Sequence, residues 1–269
     1  MIDKLIVFIF GSIVGSFLNV CIHRMPKSES VVWPRSHCPK CNKRIPGYDN
    51  IPFLSFILLK GRCRFCKEKI SWRYPLVELL TAILMVALFS RFGLTYSFFL
   101  YMVMLWGLII ATFVDIDHRI IPDEVSVGGM IIGFIMVSIK GFTLSHFSFT
   151  FHPMIRSALG IIIGGGTIYL TGILFDLIYF KLLKRPPING ETESMGGGDV
   201  KLLAMIGAFM GWKLALLTFF LAPYLGIALG VMNLLTKKDH TIPYGPFISI
   251  GALIALFWGN RIIQLILPL

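Results

Sequence analysis

The sequence predicts an all-α polytopic membrane protein of about eight transmembrane helices carrying a small cytoplasmic zinc-binding domain with four cysteine ligands. Three observations predict it. Hydrophobic residues make up 56% of the chain and charged residues only 14%, against about 25% charge in a soluble globule. Mean hydropathy is +0.79. Four cysteines fall as two Cys-x-x-Cys pairs inside the one stretch that is rich in Pro, Lys and Arg.

Eight apolar runs set the expected spans, at about residues 5–22, 74–90, 94–114, 124–139, 156–180, 200–212, 214–235 and 245–267. Most are long enough for a helix rising 1.5 Å per residue to cross roughly 30 Å of hydrocarbon. The fourth and sixth are short, and the sixth suits a tilted or half-length helix. The first run follows Asp3-Lys4 but has no small-x-small cleavage site behind it, so it reads as a span rather than a signal peptide. The expected division is residues 1–22 as a first transmembrane helix, 23–73 as an extramembrane domain, and 74–269 as a membrane-embedded domain.

Lys and Arg fix the expected orientation. With residues 23–73 on one side, that side collects nineteen basic residues and the opposite side six: Lys4, Arg91, Lys140, Arg156, Lys213 and Arg261. The basic side is the cytoplasm, and both termini face outward. The net charge of +11 is then explained by loops beside anionic lipid. The basic residues follow loops rather than one helix face and no groove-reading motif occurs, so nucleic acid is excluded as a partner. Two connections stand out. Residues 140–155 form a polar-aromatic outer loop. Residues 181–199 hold Pro186-Pro187, Glu191, Glu193, an Asn-Gly turn signal and a glycine run, and read as a mobile inner loop.

A segment of roughly 50 residues cannot hold itself together by apolar burial alone and needs a staple. Cys38-Pro39-Lys40-Cys41 and Cys63-Arg64-Phe65-Cys66, with 21 residues between them, can supply four thiolates to one tetrahedral ion. Lys40, Lys43, Arg62, Arg64 and Lys67 stand ready to offset their charge. Two disulfides, or a redox pair, are the competing reading, and a cytoplasmic location disfavours stable disulfides. A closed site of four thiolates has no open position, so the ion is structural. Cys21 packs in an apolar helix end.

Ionisable residues at membrane helix ends are functional suspects. Asp115, in the run Phe113-Val114-Asp115-Ile116-Asp117-His118-Arg119, and Asp199, after Gly196-Gly197-Gly198, are 84 residues apart but fall on the same membrane face. Two carboxylates brought together share one proton. One then activates water while its protonated partner polarises a scissile carbonyl. Gly196 and Gly198 would let an extended substrate backbone approach. Alternatives stay open: Asp199 capping a helix, an ion-coupled transporter using both aspartates as ligands, and a non-catalytic zinc-bearing scaffold. Asp117, Asp123 and Glu124 read as interfacial or helix-start charges. No inverted repeat of the transporter kind is visible.

The order of motifs resembles the type IV prepilin peptidases, membrane aspartyl proteases that carry a G-x-G-D motif. Gly11-Ser12-Ile13-Val14-Gly15-Ser16-Phe17-Leu18-Asn19-Val20 with Arg24-Met25-Pro26 is similar to their amino-terminal signature. The cysteine pairs follow, then Arg73-Tyr74-Pro75-Leu76-Val77-Glu78, Asp115-Ile116-Asp117, Gly196-Gly197-Gly198-Asp199 and Pro243-Tyr244-Gly245-Pro246-Phe247. The resemblance implies an inner-membrane enzyme whose catalytic pair is Asp115 and Asp199, with Asp117 the alternative to Asp115. Its substrates are prepilins or pseudopilins, which lose a short basic leader after a glycine and before a hydrophobic residue, usually phenylalanine. Many members then methylate the new amino terminus with S-adenosylmethionine, an activity linked to the cysteine-bearing domain. The resemblance leaves the residues that bind the methyl donor unassigned; Asn19, Arg24 and Glu78 read equally well as structural.

Overall fold

The computed structural model describes residues 2–144, 152–183, 195–236 and 243–266. Of the connections expected at 140–155 and 181–199, residues 145–151 and 184–194, with Pro186, Pro187, Glu191 and Glu193, lie outside the described residues, while 140–144 and 152–155, expected in a loop, are helical. Nine α-helices run in order among the described residues: α1 (Ile2–Arg24), α2 (Leu54–Leu58), α3 (Arg73–Phe92), α4 (Tyr96–His118), α5 (Asp123–Leu144), α6 (His152–Asp176), α7 (Gly197–Met210), α8 (Trp212–Thr236) and α9 (Gly245–Ile266). Apart from the five-residue α2, each answers to one expected span. Among the described residues, five stretches are long and apolar enough to cross a membrane: Ile2–Lys27, Arg73–Phe92, Tyr96–His118, Pro153–Phe180 and Gly245–Ile266. A six-residue π-helical stretch, Leu177–Leu182, continues α6.

The short sixth run is indeed a short helix. The 14 residues of α7 rise about 21 Å, less than the hydrocarbon thickness of roughly 30 Å. It ends at Gly211, whose φ of 79° suits only glycine.

The chain divides into two compact units, Met1–Ile110 and Ala111–Leu269, the boundary falling inside α4. In the first, α1 packs on α3 through small residues. A Cβ on Gly11 would lie 2.8 Å from the Ala82 Cα, and one on Gly15 2.7 Å from the Glu78 Cα. Buried polar side chains tie these helices to the intervening segment. Arg24 donates to the carbonyls of Ser30 (2.9 Å) and Pro34 (2.7 Å).

In the second unit α7 is enclosed by α5 and α6. Gly160 and Gly207 face each other with no room for a side chain on either, and Gly129 and Gly133 of α5 receive Met205 and Phe209 of α7. Close packing of small residues is how helices associate where lipid removes the hydrophobic drive. The last carbonyls of α7 are satisfied by α6: Ser157 Oγ donates to Ala208 O at 2.7 Å and Arg156 Nη2 to Met210 O at 3.1 Å. α7 is therefore fixed along its length, and with it the residue at its start, Asp199.

Candidate active site and metal centre

Asp115 stands in the last turn of α4 and is 6% exposed. The first N–H groups of a helix have no intrahelical partner. That of Gly245, which opens α9, donates to Asp115 Oδ2 at 2.8 Å. The backbone folds back directly after this turn. The Arg119 N–H bonds to the Asp115 carbonyl at 2.9 Å with Arg119 at φ 57°, and α5 starts at Asp123.

Asp199 lies in the first turn of α7, its N–H bonded to the Gly196 carbonyl at 3.1 Å. Its carboxylate is close enough to that of Asp115 for the two charges to repel each other, and the Tyr244 hydroxyl feels the same field. Two further contacts hold the two motifs together, and a third lies within the glycine motif. Lys201 Nζ lies 2.7 Å from Asp123 Oδ1. Gly198 abuts Ile121, where a Cβ would come within 3.2 Å of the Ile121 Cβ. A Cβ on Gly196 would meet Asp199 Oδ2 at 3.3 Å.

The structure thus brings together Asp115, Asp199, Gly196 and Gly198, all in the second unit. Asp117 is placed differently. Two residues further along α4 turn it about 200° from Asp115, onto the exposed face. Gly197 and Gly198, expected in a loop, are already helical; Gly196 alone keeps extended backbone, at φ −67° and ψ 131°. Sequence reasoning missed the part played by Gly245. The signal was present, since a glycine between Tyr244 and Pro246 at a span's start offers an N–H that Pro246 cannot.

The cysteines occupy the first unit. Each pair sits in a short knuckle of the same design. Cys38 N–H bonds to Lys43 O at 3.0 Å and Asn42 N–H to Cys38 O at 2.9 Å; Cys63 N–H bonds to Glu68 O at 2.8 Å and Lys67 N–H to Cys63 O at 3.0 Å. Asn42 and Lys67 take the positive φ that closes each turn. Isolated bridges His37–Arg44 and Arg62–Lys69 flank them.

All four sulfurs lie within 4.8 Å of one another, and Cys38 Sγ is 3.8 Å from Cys66 Sγ. A tetrahedron with metal–sulfur bonds of about 2.3 Å has edges of about 3.8 Å. A disulfide needs about 2.05 Å, and all four thiols are free. The cluster fits a tetrahedral metal ion. Backbone N–H groups of Cys66 and Phe65 lower the Cys63 thiol, which favours the thiolate a metal needs, while burial and the neighbouring thiols raise that of Cys66. Of the basic residues expected to offset the thiolates, Arg64 instead forks onto Asp49, with two contacts of 2.6 Å, and Lys43 lies over the Phe65 ring.

Comparison with known proteins shows the family. Residues 9–92 match the bacterial peptidase A24 N-terminal domain and residues 102–231 the type IV leader peptidase family. A prepilin leader peptidase/N-methyltransferase of Aeromonas hydrophila is 35% identical over 96% of this chain and 91% of its own length. That of Pseudomonas aeruginosa is 34% identical over 94% and 90%, and that of Myxococcus xanthus 39% over 85% and 62%. No solved structure matches.

Proposed function

Because the chain belongs to the type IV leader peptidase family, we propose that it removes the basic leader of type IV prepilins or pseudopilins and N-methylates the residue exposed. The observation that carries the cleavage reading is the meeting of Asp115, held by the Gly245 N–H, with Asp199. An N–H aimed at Oδ2 favours negative charge there, so Asp115 suits the base and Asp199 the protonated partner.

In this mechanism Asp199 hydrogen-bonds the scissile carbonyl oxygen while Asp115 takes a proton from water. The resulting hydroxide oxygen bonds to the carbonyl carbon. The proton taken up by Asp115 passes to the leaving amine as the C–N bond breaks. Extended backbone at Gly196, with Gly198 beside it, supports a substrate strand approaching the pair.

The cysteine cluster holds zinc in a structural role, with Cys38, Cys41, Cys63 and Cys66 as ligands; four thiolates in a tetrahedron are zinc's ordinary structural set. S-adenosylmethionine supplies the methyl group when bound. The enzyme sits in the bacterial inner membrane, multi-pass in the lipid, with the aspartate pair at the cytoplasmic face where the basic leader lies. Residues 1–22 serve as the first span, 23–73 as the zinc-binding domain and 74–269 as the protease domain. A transporter reading gains no support from the relatives, which are named as peptidases and methyltransferases.

The test is cleavage of a prepilin in detergent by wild type, Asp115→Asn and Asp199→Asn. Asn at 115 keeps an oxygen for the Gly245 N–H, so the fold is expected to survive while cleavage is lost in both variants. Cleavage surviving in either would remove that residue from the mechanism.

A further inference from the structure

The first unit holds a buried acceptor cluster that the cleavage reading does not use. Glu78, on α3, is 8% exposed. Its partners among the described residues are the Phe53 N–H, at 3.1 Å on Oε2, and the Ser16 hydroxyl. Neither carries charge. A carboxylate accepts about four hydrogen bonds, so acceptor capacity remains.

Asn19 lies one turn along α1 from Gly15, the residue packed on the Glu78 backbone. It is 2% exposed. Its amide group donates to Tyr74 O at 3.0 Å and Gly15 O at 3.3 Å, while its Oδ1 is buried with no hydrogen-bond partner among the described residues. A carboxylate lacking a cation and an amide oxygen lacking a donor are both costly inside a membrane helix pair. Both deficits are of the same kind: the cluster wants N–H donors and positive charge.

A primary ammonium supplies both, with three donors and one charge. We propose that Glu78, Asn19 and Ser16 form a recognition site for the ammonium of a methylation reactant. This rests on the methyltransferase half of the reading above, which brings two such groups: the α-ammonium of S-adenosylmethionine and the new amino terminus of the cleaved substrate. The Phe53 N–H marks a direction from which an N–H donor already reaches Glu78. It is held there by backbone at φ 57° and ψ −49°, a conformation costly for any side chain but glycine. The cluster is built into the α1–α3 contact, so the site is preorganised rather than assembled by the ligand.

Glu78→Gln tests this in the full-length protein in lipid nanodiscs. Gln keeps an oxygen for the Phe53 N–H and removes the charge. Binding is measured by equilibrium dialysis for S-adenosylmethionine, and separately for an apolar peptide with a free amino-terminal phenylalanine and for its N-acetylated form. Loss of a charged hydrogen bond is expected to weaken one ligand roughly tenfold or more, with the protein still folded and prepilin cleavage unchanged. Weakening of S-adenosylmethionine alone assigns the donor's ammonium. Weakening of the free-amine peptide but not the acetylated one assigns the substrate terminus. Wild type binding and Glu78→Gln binding equally would overturn the proposal, leaving Glu78 a structural acceptor. Wild type that binds neither ligand would overturn the methylation reading beneath it, while loss of cleavage in Asp115→Asn tests the peptidase separately. Should Glu78→Gln not fold, dicyclohexylcarbodiimide labelling of Glu78 in wild type replaces it: slower labelling with either ligand supports the site, and no protection by either overturns it.

Discussion

The Gly245 N–H donates to Asp115 Oδ2 at 2.8 Å, so the amino end of α9 orients a carboxylate at the carboxyl end of α4. A side chain at 245 would occupy the same space, since its Cβ would lie 2.8 Å from that oxygen. Gly245→Ala is therefore expected to push the Asp115 carboxylate aside. Displacement of a reacting group by about 1 Å costs around a hundredfold in rate. Prepilin cleavage should fall by one to two orders of magnitude with the protein still folded. Wild-type rates in Gly245→Ala would separate this contact from catalysis.

Asp117 presents the opposite case. It stands on the exposed side of α4, away from Asp115. At an exposed position Asn keeps the shape of Asp117 and one acceptor oxygen, and surface substitutions of that kind usually change free energies by no more than about 0.5 kcal/mol, or roughly twofold in a rate. Asp117→Asn is expected to cleave within about twofold of wild type. A loss comparable to that of Asp115→Asn would reverse the assignment of the first aspartate.

The cysteine cluster predicts one bound metal per chain. Chelation should release one equivalent of zinc and make Cys38, Cys41, Cys63 and Cys66 reactive to a thiol reagent together. Cys63→Ser should abolish stoichiometric zinc in the purified protein, as elemental analysis would reveal. Full zinc content in that variant would place the metal elsewhere.

Gly160 and Gly207 leave no space between α6 and α7. Gly207→Val inserts a branched side chain into that contact, and overpacking of this sort costs about 1–3 kcal/mol. A lower melting temperature is expected, together with reduced cleavage, because the same contact positions the helix that carries Asp199.

Much of this arrangement was legible in the sequence, and the reasons differ by feature. Span positions follow from hydropathy alone, and the helix ends differ from them by a few residues: the expected 94–114 run continues to His118, which places Asp115 inside the helix. The metal cluster was legible because two Cys-x-x-Cys knuckles are local structures whose geometry is set within six residues. The proximity of Asp115 and Asp199 was reachable only through the charge count that put both on one face. Contacts between distant backbones left no such mark. Nothing local in Gly245 names Asp115, 130 residues away, and nothing in Glu78 names Phe53. Arg64 was expected beside the thiolates because of its neighbours in the chain, but it pairs with Asp49, which only folding brings within 2.6 Å.

The central claim is that Asp115 and Asp199 act as one unit, and a double-mutant cycle on prepilin cleavage tests it most directly. Residues that work together lose nearly everything with the first substitution. The account predicts that Asp115→Asn, Asp199→Asn and the double variant cleave at the same residual rate. Losses that multiply, with the double variant slower than either single by the product of their effects, would contradict it.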